Sequence, residues 1–253
     1  MSSRGPARAD AQEPGAHRAL IGAIREALAA AGDPERAAGQ QRYMKSAMPY
    51  RGLTSPVLRA TLKPILSATA YDLADRGTWE ATVRALWDEA AYREERYAAL
   101  AVAGHRRYRS FRDVATLPLY ADLSRTGAWW DLVDDIATHH VAPVLLADRA
   151  GATPVVRAWA EDDSLWVRRT AILAQLPAKA ETDRDLLTHC LEVNLPGSEF
   201  GSEFFIRKAI GWALREFAKT DPEWVLDFVG DHELSPLSRR EALKHLTVAD
   251  VPG

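Results

Sequence analysis

Cysteine is almost absent from this sequence, and a long apolar segment is missing altogether. The single thiol, Cys190, allows no disulfide within the chain and argues against a cysteine-based metal site. No apolar run is long enough to cross a bilayer, and the first residues lack the charged-then-apolar order of a signal peptide. We therefore expect a cytoplasmic protein that uses no membrane, no metal and no cofactor.

The sequence also lacks an excess of charge of either sign. Its 32 lysine and arginine residues nearly balance 35 aspartate and glutamate residues, for a net charge of −3. Only a local arrangement of cations could therefore attract a nucleic acid. Neither standard glycine-rich phosphate loop occurs, and no Gly-x-Ser-x-Gly elbow occurs. His139 and His140 are adjacent and point to different helix faces, which is poor geometry for a metal site and is more typical of a solvated helix end.

Helical spacing of apolar residues runs through nearly the whole chain. Leu20, Ile24 and Leu28 form one such stripe, and prolines and glycines separate the periodic runs. Period-two alternation bounded by turns is absent, so the pattern predicts an all-α fold. Residues 1–17 are rich in Gly, Ala, Pro, Arg and Asp, which predicts a disordered lead-in. Residues 18–253 are expected to form a single domain.

A short basic motif recurs along the chain. Four similar stretches, each with a small alanine shortly after a basic residue, start at Arg96, Arg168, Arg207 and Arg239. The intervals are 72, 39 and 32 residues, and one skipped unit in the first interval gives about 36. Helical-pair repeats have periods of roughly 33 to 47 residues, and stacking them would align the basic pairs along one edge. Arginine near a helix start can also simply solvate the surface, and both interpretations stay open.

The stretch Trp129–Asp135 combines tryptophan with three carboxylates. Trp130 and Asp134 are four residues apart and so share one helix face. An indole face attracts positive charge, and a carboxylate can stabilise a cation or orient a water molecule. The alternative is a core tryptophan and a carboxylate in a salt bridge. Spacing alone does not decide which of Asp131, Asp134 and Asp135 faces a groove.

Aromatic residues stand close to cations in several other stretches. These are Trp212 with Arg215, Trp166 with Arg168 and Arg169, and Tyr43 with Lys45. Phosphates take positive charge, whereas exposed bases and sugars take flat apolar faces, so the combination is typical of a nucleic-acid surface. Each tryptophan taken alone is more often a core residue of a helical repeat.

Together these stretches resemble the AlkD family of DNA alkylation repair glycosylases. The resemblance runs from about Ala19 to Leu246. Five stretches carry it in order, at residues 43–45, 129–134, 166–173, 203–216 and 237–242. The resemblance implies a curved solenoid of HEAT-like antiparallel helix pairs with a concave DNA-binding face.

The resemblance also implies an activity, which is excision of cationic N3- and N7-alkylated purines from double-stranded DNA without base flipping. It implies that Asp134 is the catalytic aspartate, that Trp130, Trp212 and Tyr43 line the cleft, and that Arg169 contacts the DNA backbone. We further expect DNA contacts from Lys45, Arg168, Arg207, Lys208, Arg215, Arg239 and Arg240. No catalytic lysine is implied, so we expect a monofunctional glycosylase of base excision repair that leaves an abasic site. We also expect the protein to be a monomer.

One departure from the family pattern is a small duplication. Gly197–Phe200 is repeated as Gly201–Phe204, which lengthens the loop before the Trp212 helix by four residues. Some family members accept bulky adducts of DNA-alkylating antibiotics and serve self-resistance, and the sequence does not show whether this chain does. Two alternatives remain: a non-catalytic HEAT-like protein that binds branched or distorted DNA, and a HEAT-type protein–protein scaffold.

Overall fold

The computed structural model describes residues 15–246 and shows a helical protein. These residues contain no β-strand, which confirms the prediction of an all-α fold. Of the expected lead-in, residues 1–14 lie outside the described residues, and His17 caps the first helix by accepting a hydrogen bond from the N–H of Leu20. The chain divides into two compact units after Tyr108, and the single domain expected over 18–253 stays a prediction.

The first unit contains five α-helices in its described part, residues 15–108. They are α1 (Arg18–Ala30), α2 (Pro34–Met44), α3 (Ser55–Ser67), α4 (Arg76–Asp88) and α5 (Arg93–Ala103), with a 3-10 turn at Thr69–Tyr71. The apolar stripe of α1 is buried, as expected, and α1 packs against α3, α4 and α5. Trp79 and Trp87 of α4 are completely buried, so they are core residues of this unit.

A buried carboxylate fixes the loop between α2 and α3. Glu94 accepts hydrogen bonds from the backbone N–H groups of Arg51, Gly52 and Leu53, at 2.9, 2.9 and 3.2 Å. Gly52 has a φ of +90°, and a Cβ there would lie 2.0 Å from the Asp33 carbonyl oxygen, so only glycine fits. The N–H of Asp33 in turn donates to the Arg51 carbonyl at 2.7 Å. The loop therefore holds the start of α2 in place.

The second unit contains nine α-helices and one π-helical segment in its described part, residues 109–246. The α-helices are α6 (Leu117–Gly127), α7 (Trp130–Asp135), α8 (Ala142–Ala147), α9 (Arg149–Trp159), α10 (Leu165–Leu173), α11 (Arg184–Glu192), α12 (Phe204–Phe217), α13 (Pro222–Asp231) and α14 (Pro236–Ala242). Short 3-10 turns cover Val114–Thr116 and Lys179–Glu181, and another, Arg106–Phe111, spans the division between the units. Helix α10 contacts α6, α7, α9, α11 and α12, so it is the central helix of this unit.

The recurrent basic motif has a constant place in its helix. Arg96, Arg168, Arg207 and Arg239 are each the fourth residue of their helices, α5, α10, α12 and α14. The alanines that follow them are buried: Ala98, Ala99, Ala171, Ala209 and Ala242. The motif therefore marks an equivalent turn in each of these helices, with the alanine on the packed side.

The π-helical segment Ile136–Val141 joins α7 to α8 without a break, so that one helix runs from Trp130 to Ala147. Buried residues recur in this helix in groups four residues apart: Leu132 and Val133, Ile136 and Ala137, His140 with Val141 and Ala142, and Val144 and Leu145. An α-helix repeats every 3.6 residues, and a π-helix, with its i→i+5 bonds, turns more slowly. A regular α-helix would spread a four-residue pattern over a wide arc, about 40° further every four residues, and a π turn narrows that arc. The apolar pattern therefore favours this segment.

Helices α12 and α14 approach each other very closely. A Cβ on Gly211 would lie 2.6 Å from the Glu241 Cβ and 2.9 Å from the Ser238 carbonyl oxygen. The Ser238 hydroxyl also donates to the carbonyl oxygen of Arg207 across the same interface, at 2.9 Å. Glycine is thus required at position 211 for space.

We expect Gly211→Ala to destabilise the protein by about 1–3 kcal/mol, because the added methyl group must push α14 away. Gly230→Ala is the matched control in α13, where an added Cβ meets no atom within 4 Å. That variant should be neutral or more stable by up to about 1 kcal/mol. Urea unfolding followed by circular dichroism measures both, and equal free energies of unfolding would contradict the close approach.

Candidate active site

A bidentate ion pair joins α7 to α10. Arg169 donates to both oxygens of Asp134, from Nε to Oδ1 at 2.8 Å and from Nη2 to Oδ2 at 2.9 Å. The side chain of Arg169 is 3% exposed and that of Asp134 is 15% exposed. Arg169 Nη1 also donates to the carbonyl oxygen of Phe205 at the start of α12. One guanidinium therefore ties three helices together around one carboxylate.

The two partners meet because they occupy equivalent positions in neighbouring helices. Asp134 is the fifth residue of α7 and Arg169 is the fifth residue of α10, and these helices are in contact. The fifth residues of α12 and α14 are the cations Lys208 and Arg240. Helix α7 supplies the unit that the basic motif skips, and there an acidic residue stands where α10, α12 and α14 have a cation. Opposite charges thus fall at adjacent equivalent positions.

Burial is the main influence on the Asp134 carboxyl. Burial raises the pKa of Asp134 and the nearby charge of Asp131 adds to this, whereas the hydrogen bonds and charge of Arg169 oppose it. The net result is a pKa above the ordinary value for aspartate. Because arginine offers only N–H donors, the two-pronged contact is that of an ionised carboxylate. Asp134 is therefore a partly desolvated anion held in one orientation.

The neighbouring carboxylates have different surroundings. Asp135 lies 2.9 Å from Nδ1 of His139 and 3.4 Å from Nε2 of His140. Burial raises the pKa of Asp135, but the hydrogen bonds and charges of the two histidines outweigh it, and the net pKa is lowered. Asp131 is half-buried and acts on Asp134 through its charge. Asp134 is the carboxylate that Arg169 holds, which spacing alone could not indicate.

Aromatic side chains collect beside the ion pair, at the starts of three helices. Trp129 precedes α7, Trp166 is the second residue of α10, and Phe204 and Phe205 begin α12. Their ring centroids are separated by 6.1 Å (Trp129–Trp166), 5.4 Å (Trp129–Phe205), 5.0 Å (Trp166–Phe205) and 5.3 Å (Phe204–Phe205). Phe204 is 53% exposed, so the cluster reaches the surface. Trp129, Phe204 and Phe205 were not among the predicted site residues, although their shared place at helix starts is a signal that the sequence contains.

The two tryptophans expected to line a cleft are half-buried. Trp130 begins α7, one turn before Asp134 and on the same helix face. Trp212 follows Phe205 by seven residues, which places it two turns further along the same face of α12, about 10 Å along the axis. Part of each indole is accessible to solvent, and a role in a cleft stays a prediction for both.

Four cations expected to bind DNA already pair with carboxylates of the protein. The partners are Asp134 for Arg169, Glu199 for Arg168, and Glu241 for both Lys208 and Arg215. The hydrogen bond from Lys208, together with the charges of Lys208 and Arg215, lowers the pKa of Glu241. A phosphate would have to share or replace these partners, so DNA binding by the four cations stays a prediction.

The remaining residues expected to bind DNA are more accessible. Arg207 is half-buried, and Arg239 and Arg240 are exposed, with Arg239 donating to the carbonyl oxygen of Val229 at 2.9 Å. In the first unit, Tyr43 is 79% exposed at the end of α2 and Lys45 is exposed just after it. Their contact with DNA also stays a prediction.

The described residues offer no reactive thiol and no cluster of metal ligands. Burial raises the pKa of the Cys190 thiol to about 12, which leaves it without thiolate character at neutral pH. Residues 15–246 contain no group of three or more His, Cys, Asp or Glu side chains that could hold a metal ion. Within the same residues, no helix combines the length and the apolar character needed to cross a membrane.

Comparison with known proteins identifies the family. The family model for DNA alkylation repair enzymes matches residues 24–246. The chain belongs to this family. A solved structure of a predicted DNA alkylation repair enzyme from Enterococcus faecalis is similar, with 28% sequence identity and a TM-score of 0.74, over 86% of this chain and 97% of that chain. No curated protein matches the sequence significantly.

Membership of the DNA alkylation repair enzyme family confirms the resemblance seen in the sequence. It places the chain in DNA repair and implies that the protein binds DNA. The ion pair of Asp134 with Arg169 and the aromatic cluster both lie within the matched residues. The family match does not by itself assign a reaction or a catalytic residue.

The duplicated segment of this family member is anchored by Arg168. The buried guanidinium of Arg168 donates to Glu199 at 2.6 Å and to the Asp162 carbonyl oxygen at 2.6 Å, and it lies 4.8 Å from the centre of the Phe200 ring. These contacts hold the first copy against the start of α10. The second copy ends in Glu203, which occupies the N-cap position of α12 without a side-chain hydrogen bond, and Phe204, the first residue of that helix. Arg168 therefore has a structural partner in this loop.

Removing one partner of the Asp134–Arg169 ion pair should destabilise the protein more than removing both partners. We expect Arg169→Gln to destabilise the protein by about 3 kcal/mol, because it leaves the Asp134 carboxylate buried without its counter-ion. The double variant Arg169→Gln with Asp134→Asn should recover part of that loss, since neither side chain is then charged. Urea unfolding of the two single variants and the double variant measures the coupling, and strictly additive effects would show that the pair contributes none.

Proposed function

We propose that this family member is a monofunctional DNA glycosylase that hydrolyses the N-glycosidic bond of cationic N3- and N7-alkylated purines in duplex DNA. The observation that carries the proposal is the desolvated Asp134 carboxylate, held by Arg169 beside Trp130 and an aromatic cluster. The proposed product is an abasic site in an intact strand, formed without flipping of the base. Membership in the DNA alkylation repair enzyme family supports the substrate class.

The site suits a leaving group that is already positively charged. Alkylation at N3 or N7 makes the purine a cation, so it departs without a general acid and leaves an oxocarbenium-like sugar. Such a reaction needs a fixed negative charge, a positioned water molecule and aromatic faces that attract a cation. Asp134 supplies the charge and can orient the water, while Trp130 and Trp212 supply the aromatic faces. Electrostatic stabilisation of this kind is strongest where bulk water is excluded.

Arg169 has two tasks in this proposal. Three of its five N–H groups point to Asp134 and to the Phe205 carbonyl oxygen. The first task is therefore to fix the carboxylate in the DNA-free protein. The second task is to contact a phosphate of the DNA backbone with the two remaining N–H groups. Because the Arg169 side chain is only 3% exposed in the DNA-free protein, DNA binding must uncover it first. A phosphate there would draw the guanidinium charge away from Asp134 and leave that carboxylate more strongly negative towards the sugar.

Asp134→Asn should lower the single-turnover rate of 7-methylguanine release from duplex DNA by at least about 100-fold, since an amide cannot stabilise the cation. Asp163→Asn is the control, because Asp163 is an exposed carboxylate that follows α9 and takes no part in the ion pair. Equal rates for Asp134→Asn and the unmodified protein would remove Asp134 from the reaction. A strand break formed without added base or lyase would contradict the monofunctional assignment.

Binding to plain duplex DNA should weaken with salt, but less steeply than the number of expected cationic contacts indicates. Each phosphate neutralised by a free cation contributes about −0.9 to the slope of log K against log salt. Arg168, Lys208 and Arg215 bring carboxylate partners with them, so their share should be small. Fluorescence anisotropy at several salt concentrations measures the slope.

The same titration separates the proposal from its alternatives. Absence of binding at low salt would favour a protein–protein scaffold. Preference for branched or distorted DNA with no release of alkylated base would favour a non-catalytic DNA-binding protein. Salt-dependent binding together with base release supports the glycosylase.

A further inference from the structure

One buried position of the helix that carries Asp134 holds a histidine where the pattern calls for an apolar residue. The buried residues of this helix are all apolar except His140, which is 3% exposed. A leucine would complete the apolar stripe, and burying a polar ring costs free energy unless it is hydrogen-bonded. Within the described residues, Nδ1 of His140 has no hydrogen-bond partner. The histidine is therefore not explained by core packing.

The partner of His140 is Asp135, and the π-helical segment is what brings them together. Residues five apart lie about 140° apart around an α-helix, so they point in different directions. In a π-helix the hydrogen bond closes five residues back, and here Ala142 donates to the Ala137 carbonyl oxygen in this way. Asp135 and His140 have the same five-residue spacing, and Oδ2 of Asp135 lies 3.4 Å from Nε2 of His140. The contact requires the π turn.

His139 reaches the same carboxylate by a different route. Its Nδ1 lies 2.9 Å from Oδ1 of Asp135, with the four-residue spacing that an ordinary α-helix also permits. His139 is exposed, whereas His140 is buried, with its ring centroid 5.4 Å from that of Tyr120. The two adjacent histidines do point to different faces, as their sequence indicates. The expectation of a solvated helix end is wrong, because the helix continues past them and His140 is buried. Only the contact of His140 with Asp135 depends on the π turn.

The π segment is also connected directly to Asp134. The Thr138 hydroxyl donates to the carbonyl oxygen of Asp134 at 2.7 Å and lies 3.2 Å from Nδ1 of His139. Each residue of an α-helix advances by about 100°, so a register change of one residue would turn Trp130 and Asp134 well away from α10. The direction of the Asp134 side chain therefore depends on the helix keeping its π turn.

We infer that His140 is a positioning residue for Asp134, and that its contact with Asp135 locks the π turn that aims Asp134 at Arg169. The inference rests on the proposed function for its effect on base release. It assigns His140 no contact with the substrate. Loss of the lock should lower the rate of the chemical step more than the affinity for DNA. None of the residues expected to bind DNA lies in the segment Ile136–Val141, and Arg169 is the one among them that contacts Asp134 directly.

The experiment compares three variants of the two histidines that contact Asp135. His140→Leu completes the apolar stripe but removes the partner of Asp135. His140→Gln keeps an N–H donor near the position of Nε2. His139→Gln is the matched control at the exposed neighbour. For each variant we would measure thermal melting, the dissociation constant for unmodified duplex, the single-turnover rate of 7-methylguanine release, and amide hydrogen exchange over residues 136–142.

We expect His140→Leu to release base at least fivefold more slowly than the unmodified protein, with a smaller change in the dissociation constant and faster exchange over residues 136–142. His140→Gln should restore the rate to within about threefold, and His139→Gln should match the unmodified protein. An unchanged rate for His140→Leu, or equal losses for His139→Gln, would overturn the inference.

Hydrogen exchange separates this inference from the proposed function. If the unmodified protein binds duplex DNA but releases no base, the proposed function fails, and the exchange comparison still tests the lock. Faster exchange over residues 136–142 in His140→Leu than in His140→Gln would then support the role of His140 in the π turn. Identical exchange in the two variants would overturn that role.

Discussion

The ion pair between Asp134 and Arg169 is the constraint on which the second unit depends. Removing two charges from water costs about as much free energy as their attraction returns, so well-packed apolar residues would stabilise α7 and α10 equally well. A charged pair instead fixes orientation, because a guanidinium binds both oxygens of a carboxylate in one plane. Through the Phe205 carbonyl oxygen the same guanidinium also sets the start of α12. The pair therefore fixes the relative placement of three helices and keeps an anion where an apolar residue would otherwise lie.

The helix that presents Asp134 must satisfy two demands at once. Its buried residues, from Leu132 to Leu145, must stay on one face over four turns. Its first turn must also direct the Asp134 side chain towards α10. In a regular α-helix, residues four apart differ by about 40° around the axis, so such a helix cannot meet both demands. The π turn removes most of this angular difference. The helix type at residues 136–141 is thus a consequence of where the core and the ion pair lie.

Much of the fold could be predicted from the sequence, but less of the site. The four arginines of the basic motif mark equivalent turns because a helical repeat places similar residues at similar positions, and spacing reveals that directly. The partner of Asp134 could not be predicted from spacing, since Arg169 lies 35 residues away and meets it only through stacking. Counting cations also overstated the free positive charge, because Glu199 and Glu241 come from neighbouring segments. The four-residue pattern was visible in the sequence, but a search for 3.6-residue periodicity does not register it.

The chain accommodates extra residues in two different ways. The duplicated Gly-Ser-Glu-Phe segment is absorbed by a loop, where Arg168 holds the first copy and the second copy still starts α12 at its cap. The length of that loop can change without rotating the helix that follows. The π turn instead takes up an additional residue inside a helix, between two faces that are both fixed. A change of loop length before α12 would therefore leave the site intact, whereas one residue more or fewer between Asp134 and Val144 would rotate Asp134 away from α10.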